Sequence, residues 1–294
     1  MSNQEWISRF SSHLRFERSA GQNTIESYGN DLRKYARWLD GKPFCVANGP
    51  DLERFTADEL NHGRSARTVR RVIASLKTFY RFLLDEGEIN HNPLRYVAVP
   101  KIWKRVPHSV SESELQTMLD SLDTSTEIGI RDRAMLLTFF ASGLRESELR
   151  NLRLQDLDLQ NGAAKVWNGK GGKDGIVPLS PIAVEALRTY LETVRSKHDG
   201  NDYVFLSRRG EQITRQQIFY RVRNIASAAL GKEISPHALR HGFATALING
   251  GADIRDVQAL MRHSDIDTTS VYVHTDVNYL RRIYYASHPR ARIL

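Results

Sequence analysis

The length and composition of the chain indicate a globular protein of two domains. It has 294 residues, of which 40% are hydrophobic and 26% are charged, which excludes the disordered and fibrous classes. At roughly 150 residues per domain, two domains are expected. The apolar runs are far shorter than the roughly 20 residues of a membrane-spanning helix, and the start, MSNQEWISRF, lacks the apolar core of a signal peptide. We therefore expect a cytoplasmic protein with no membrane partner.

The cysteine content and the net charge restrict which covalent links, metal sites and partners the protein can have. The single cysteine, Cys45, cannot form an intramolecular disulfide or a cysteine-based zinc site. The formal net charge is +8, which favours polyanionic partners such as nucleic acids, although a solvated basic surface would give the same count.

Residues 1–95 have the apolar spacing of α-helices throughout. The spacing and the glycine and proline breaks predict four helices, over 3–18, 23–40, 51–61 and 65–86. The fourth helix carries an apolar stripe flanked by five cations that can contact DNA phosphates: Arg64, Arg67, Arg70, Arg71 and Lys77. A solvated charged face explains the same pattern. The residues therefore predict a helical domain over 1–95 and leave both explanations of its basic face open.

Residues 96–108 are the most positively charged short segment of the chain. Pro100 and Pro107 prevent a regular helix, while Lys101, Lys104 and Arg105 supply three positive charges with no acidic residue. The segment is interpreted as a linker between domains. It either lies along a DNA duplex, where each cation releases counterions, or serves as a soluble spacer.

Residues 109–294 combine helices with one short hairpin. Ser111 and Glu114 form the pattern of a capping box, and 130–140 is a strongly apolar helix. Two short apolar segments, 163–168 and 175–179, flank the turn sequence GKGGKD and predict a β-hairpin. Helices follow over about 181–196, 214–230, 236–249 and 253–262. The predicted second domain is therefore mostly helical with a small sheet.

The stretch SPHALRHGFATALINGG places three chemically active side chains on one helix face. Ser235 and Pro236 are typical of a helix start, so His237 lies in the first turn, with Arg240 and His241 three and four residues later. Free amide groups at a helix start, together with His and Arg, favour an oxyanion. Zinc binding by the two histidines is the less favoured alternative, because the glutamate of the zinc-protease motif is absent.

Three further segments carry candidate residues. In FFASGLRESELRNL, a glycine ends one helix and leaves Arg145 three residues before Glu148, where they can pair. Lys170 lies at the hairpin tip, and LMRHSDIDTTSVYVH contains His263 and Tyr272. Each of these side chains alone has an ordinary surface or core explanation. Together they form a metal-free set suited to phosphoryl transfer, since the carboxylate cluster of a magnesium site is missing.

In their order along the chain, GLRESEL, GKGGK, HALRH and RHSDIDTTSVYVH resemble the motifs of the tyrosine site-specific recombinases, in particular the Xer branch. The resemblance implies a mainly α protein with a small β-sheet and two domains: an all-α four-helix core-binding domain over 1–95 and, after the basic linker 96–108, an α+β catalytic domain over 109–294. It also implies an active site with a tyrosine nucleophile, formed by Arg145, Lys170, His237, Arg240, His263 and Tyr272. Glu148 would support a neighbouring side chain.

The same resemblance implies the reaction and the partners. Tyr272 would form a 3′-phosphotyrosyl bond with DNA, with no cofactor and no metal. The partners would be a double-stranded recombination site, other protomers in a homotetramer or a heterotetramer with a related recombinase, and a cell-division DNA translocase. The expected role is resolution of chromosome or plasmid dimers. Alternatives are a phage or mobile-element integrase, a type IB topoisomerase, an inactive DNA-binding regulator and a histidine-ligated metalloprotein.

The chain departs from the family pattern at a few positions. Arg262 replaces the usual glycine before the second histidine, Gly242 replaces a common serine after HALRH, and Asp174 with Gly175 replaces a basic residue after the hairpin lysines. None of these changes removes a candidate catalytic side chain. The C-terminal stretch after Tyr272 has an apolar face, which we expect to dock on a neighbouring protomer; packing on its own domain is the alternative.

Overall fold

The computed structural model describes residues 1–18, 20–95, 97, 99, 109–167, 174–262 and 277–291, with residues 277 and 278 described by their backbone alone. It divides into two compact units, Met1–Arg105 and Val106–Leu294. Each unit has its own hydrophobic core. The first is helical and the second adds a three-stranded sheet. The fold class predicted from the sequence is therefore confirmed.

The first unit contains four α-helices. They are α1 (Asn3–Phe16), α2 (Gln22–Trp38), α3 (Gly49–Asn61) and α4 (Ala66–Asp85). The predicted boundaries are correct to within two residues, and the difference at α3 has a clear cause. Asn48 accepts a hydrogen bond from the backbone of Asp51 and so caps the helix early, while Pro50 is tolerated in a first turn.

Aromatic side chains fill the core of the first unit. Phe79 of α4 lies at its centre, with ring centroids 5.3 Å from Phe10 of α1 and 4.9 Å from Phe44. Trp6 and Tyr35 are also fully buried. Because these rings interdigitate from three segments, the apolar stripe of α4 is the element on which this unit packs.

The second unit contains eight α-helices and three strands among its described residues. The helices are α5 (Glu112–Asp120), α6 (Glu127–Ser142), α7 (Glu146–Asn151), α8 (Pro181–Thr193), α9 (Arg215–Leu230), α10 (Pro236–Asn249), α11 (Ile254–Leu260) and α12 (Val277–Ser287). The strands are β1 (Leu157–Asp158), β2 (Ala163–Val166) and β3 (Gly175–Pro178). Within the described ranges of both units, no helix has the length and apolar content needed to cross a membrane.

Helix α6 is the centre of the second unit. Its residues from Ala134 to Ser142 are buried, and it packs against both α8 and α10. The strands form an antiparallel sheet in the order β1-β2-β3, in which Ala163 pairs with Pro178 and Val166 with Gly175. The β2–β3 pairing agrees with the predicted hairpin, whereas the two-residue strand β1 was not predicted because it is too short to show a pattern.

Helix α12 packs on its own unit. Tyr284 is fully buried in a cluster with Phe243 and Leu247 of α10 and Val257 of α11. In this structure the apolar face of the C-terminal stretch covers α10 and α11, which is the alternative left open by the sequence. Docking on a neighbouring protomer stays a prediction. The sequence alone could not separate the two outcomes, because an apolar helix face is the same whether its partner lies in its own chain or in another.

Gly250 marks the closest approach between α10 and the end of α12. A Cβ placed on Gly250 would lie 1.9 Å from the backbone oxygen of Ser287. The φ angle of Gly250 is −80°, so steric space rather than backbone conformation requires glycine here.

We expect Gly250→Ala to destabilise the second unit by about 1–3 kcal/mol, since the added methyl group must displace the backbone of α12. Urea unfolding of the full chain measures the loss. Asn249→Ala is the matched control: this exposed neighbour should change stability by less than about 0.5 kcal/mol. Equal stability of the two variants would contradict the close packing of α10 and α12.

His288 is completely buried beneath α12. Its ring lies 4.9 Å from that of Tyr284. The backbone N–H of Arg290 donates to Nδ1 at 3.3 Å, which leaves Nε2 to carry the proton and donate to the carbonyl oxygen of Phe140 at 3.2 Å. Burial lowers the pKa of His288 to about 4, so the neutral imidazole is the form that fits this site.

The buried histidine predicts a loss of stability in mild acid. Between pH 6.5 and about 4 the unfolded chain binds a proton at this position that the folded chain does not, so folding weakens as the pH falls through that range and the loss is complete below it. We expect the contribution to be about 2 kcal/mol between pH 7.5 and pH 5. Urea unfolding at both pH values should show a larger difference for the natural chain than for His288→Leu, and identical differences would contradict the assignment.

Candidate active site

The first turn of α10 presents two of the predicted residues. His237 is exposed, with its ring 4.3 Å from that of His241 at an angle of 76°. Arg240, one turn further, is buried with 3% of its surface exposed. Helical spacing therefore places an accessible imidazole next to a buried guanidinium, as the sequence predicts. In the described part of the chain, no group of three or more His, Cys, Asp or Glu side chains is arranged to hold a metal ion.

Two backbone carbonyls anchor Arg240. Its Nη1 donates to the oxygen of Gly143, and its Nη2 donates to the oxygen of Met261. Burial, reinforced by the positive charge of Arg145, lowers the pKa of Arg240 to about 10. The guanidinium stays protonated at neutral pH, so a full positive charge is held in the interior by carbonyl dipoles.

Gly143 ends α6 and makes this arrangement possible. Its φ is 58°, in the left-handed region, and an added Cβ would lie 2.4 Å from the ring of Phe243. Only glycine satisfies both conditions. The chain therefore turns sharply after α6, exposes the Gly143 carbonyl to Arg240 and begins α7 directly at Arg145.

Arg145 is held by three hydrogen bonds at the start of α7. Its backbone N–H donates to Glu148 Oε2 at 2.7 Å, and its Nη1 donates to Glu148 Oε1 at 2.7 Å. Its Nη2 donates to the backbone oxygen of Arg262 at 2.9 Å. The predicted pairing of Arg145 with Glu148 is therefore confirmed, and the buried carboxylate fixes both the backbone and the side chain of the arginine.

Arg262 is a member of this cluster that sequence analysis missed. Its Nη2 donates to Glu148 Oε2 at 2.7 Å, and burial lowers the pKa of its side chain. In the sequence Arg262 was only a departure from a family pattern. No local signal could reveal its position, because Arg262 is 114 residues from Glu148 in the chain and meets it only in the folded unit.

One turn of backbone orients both predicted arginines. The consecutive carbonyls of Met261 and Arg262, just after α11, accept hydrogen bonds from Arg240 and Arg145 respectively. The guanidinium groups of Arg145 and Arg262 thus share the carboxylate of Glu148, and that of Arg240 is held by backbone carbonyls. The cluster carries a net positive charge and suits an oxyanion.

The other predicted residues divide into those the structure describes and those it does not. Lys170, His263 and Tyr272 lie outside the described residues, as do Lys101, Lys104 and Arg105 of the linker. Along α4 and just before it, four predicted DNA contacts are exposed: Arg64, Arg67, Arg70 and Lys77.

Arg71 differs from its neighbours on α4. Its Nη1 donates to the hydroxyl of Ser27 at 2.5 Å and forms an ion pair with the buried carboxylate of Asp31. Ser75 donates to the same carboxylate at 3.0 Å. Arg71 therefore ties α4 to α2, a role that the sequence pattern does not distinguish from phosphate contact.

Comparison with known protein families gives two matches. Residues 108–278 match the phage integrase family, and residues 7–87 match the phage integrase N-terminal SAM-like domain.

Curated relatives cover almost the whole chain. The chain is 40% identical to tyrosine recombinase XerD of Pseudomonas aeruginosa over 97% of each protein. It is 38% identical to tyrosine recombinase XerD of Listeria monocytogenes over 97% of this chain and 99% of that protein.

Solved structures agree. The XerA recombinase is 30% identical, with a TM-score of 0.51 and coverage of 98% and 99% of the two chains. The Tn1549 transposon integrase in complex with circular intermediate DNA shares the fold at 20% identity, with a TM-score of 0.73 and coverage of 96% and 98%. A family model matches more than half of the chain, and relatives that are 38–40% identical cover nearly all of it. The chain therefore belongs to the phage integrase family and is a site-specific tyrosine recombinase.

Proposed function

We propose that this recombinase exchanges DNA strands through a bond between Tyr272 and a 3′-phosphate, and that it resolves dimers of a chromosome or plasmid. The observation that carries the proposal is the anchoring of Arg145 and Arg240 by consecutive carbonyls of one turn. That turn ends next to His263, and Tyr272 follows nine residues later in the chain. A fixed pair of guanidinium groups is what a phosphodiester needs as it gains charge during reaction.

In the proposed cleavage step, the phenolic oxygen of Tyr272 forms a bond to phosphorus and the bond to the 5′-oxygen breaks. His237 takes the proton of the phenol group, whose pKa is ordinarily about 10. Lys170 gives a proton to the departing 5′-oxygen, and His263 donates a hydrogen bond to the phosphate. A 5′-hydroxyl of another strand reverses the step. Since the phosphotyrosyl bond replaces the broken phosphodiester, strand exchange needs no nucleotide cofactor and no metal.

The hydrogen-bond capacity of the arginines supports their role. A guanidinium has five N–H groups. Arg240 uses two of them on Gly143 and Met261, and the side chain of Arg145 uses two on Glu148 and Arg262. Each side chain is thereby held in place, and its three other N–H groups, which have no partner among the described residues, can bind the two nonbridging phosphate oxygens. Glu148 acts by holding Arg145, not by reacting.

The proposed partners follow from the reaction and from the relatives. Exchange between two duplexes requires four protomers, either copies of this chain or a mixture with a related recombinase, and a cell-division DNA translocase would activate them in the cytoplasm. The exposed cations Arg64, Arg67, Arg70 and Lys77 would contact DNA phosphates. The Xer role is preferred over a mobile-element integrase or a type IB topoisomerase, because the relatives that span nearly the whole chain at 37–40% identity are named XerD.

We expect Tyr272→Phe to abolish covalent attachment to DNA while leaving site binding nearly unchanged, because only the nucleophilic oxygen is removed. A nicked suicide substrate followed by a denaturing gel measures the adduct, and a gel shift measures binding. Tyr220→Phe is the matched control, since Tyr220 is an exposed tyrosine of α9 and its variant should form the normal adduct. An adduct formed by Tyr272→Phe would contradict the assignment.

We expect Arg145→Lys and Arg240→Lys each to slow cleavage by about 10²–10³-fold with little change in DNA affinity. A lysine cannot span two carbonyl or carboxylate partners and still present a planar fork to the phosphate. Single-turnover cleavage at saturating protein measures the effect. Arg208→Lys, a control at an exposed position, should cleave normally. If Arg145→Lys and Arg240→Lys lose DNA affinity but keep the cleavage rate, the proposed role of the two arginines in the transition state is refuted.

A further inference from the structure

Arg262 and Gly175, two residues beside the active site, each occupy a backbone position that their residue type disfavours. Arg262 has a φ of 53°, and Asp40 is the other non-glycine residue of the described chain with a positive φ. The left-handed region strains residues that carry a Cβ. Gly175 opens strand β3, where it pairs with Val166, although glycine weakens strands. Exchanging the two residue types would satisfy both local preferences.

The two positions share one space. A Cβ on Gly175 would lie 2.8 Å from Cδ of Arg262 and 3.6 Å from its Nη1. Any side chain at position 175 would therefore collide with the stem of Arg262. Glycine at position 175 is what allows the arginine to cross the start of β3.

The guanidinium of Arg262 reaches Glu148 by this route. Its Nη2 donates to Glu148 Oε2 at 2.7 Å, while its backbone oxygen accepts from Arg145 at 2.9 Å. Residue 262 thus holds Arg145 twice, once through its carbonyl and once through the carboxylate that Arg145 also binds.

This arrangement is costly for folding. Nε and Nη1 of Arg262 are buried and have no hydrogen-bond partner among the described residues, and its positive charge lies close enough to Arg145 and Arg240 to depress the pKa of Arg240. Strain, unpaired donors and like charges all oppose stability. A residue that carries all three costs is expected to serve the site and not the fold.

We propose that Arg262 is a positioning residue for phosphoryl transfer. Its side chain passes over Gly175 and holds Glu148 against Arg145, so Gly175 and Arg262 form one unit. The inference rests on the proposed function. With Arg262 in place, Glu148 is shared by two guanidinium groups while Arg240 is held by backbone carbonyls, so the cluster keeps an excess of positive charge for the negative charge that a phosphodiester gains in the transition state. A guanidinium supplied from position 175, with glycine at position 262, would fill the same space.

The reciprocal exchange tests the proposal. Arg262→Gly should slow single-turnover cleavage of a suicide substrate by about 30-fold or more, change the DNA dissociation constant by less than about threefold, and leave the melting temperature equal or higher. Gly175→Arg should also be slow, because two side chains then compete for one space. The double variant Gly175→Arg with Arg262→Gly should cleave at least about tenfold faster than Arg262→Gly.

Asp40→Gly is the matched control for backbone strain. This substitution removes the backbone strain at the other described non-glycine residue with a positive φ, which lies in the first unit. The melting temperature of the variant should therefore also be equal or higher, while its cleavage rate stays normal. A purely structural role for Arg262 predicts instead that rate, DNA affinity and melting temperature fall together.

Two results would overturn the inference: Arg262→Gly cleaving within about threefold of the natural chain, or the double variant being no faster than Arg262→Gly. Neither result affects the proposed function, which fails separately if the natural chain forms no adduct or if Tyr272→Phe still forms one.

Discussion

The candidate site depends on hydrogen bonds from arginine side chains to the carbonyls of Met261 and Arg262. A buried guanidinium must find acceptors, since its charge cannot be left unsolvated in the interior. Arg240 is 3% exposed and satisfies this requirement, among the described residues, through the backbone oxygens of Gly143 and Met261. Carbonyl dipoles neutralise less charge than a carboxylate would. The guanidinium is thus held rigidly while it keeps its attraction for an anion.

This interaction explains several features of the second unit. The Gly143 carbonyl is available because α6 ends there in a left-handed turn, against the ring of Phe243. The Met261 carbonyl is available because α11 ends there after packing on α10. Helix α12 packs on both α10 and α11 through the buried Tyr284. The buried core therefore places the ends of two helices, α6 and α11, at one guanidinium, and this packing makes the site rigid.

The three arginines of the site differ in whether a carboxylate neutralises their charge. Glu148 binds Arg145 and Arg262, whereas Arg240 is held by neutral groups. In the first unit the arginines of α4 also fall into two groups. Arg71 pairs with the buried Asp31 and stabilises the fold, while Arg64 and its exposed neighbours remain at the surface. Arginines close together in the sequence thus differ in surroundings, because a buried carboxylate lies within reach of Arg71.

Local sequence determined the helices, the hairpin, the glycine break before Arg145 and the spacing that joins His237 to Arg240, because each depends on residues within about four positions of one another. The order of the motifs also identified the family. Tertiary structure alone decided that Arg262 joins the cluster, that Arg71 is bound to Asp31 and that α12 packs on its own unit. The first two outcomes join residues 114 and 40 positions apart, and no local preference encodes such a contact. Arg262 and Gly175 even oppose their local preferences, because the space they share is created by packing.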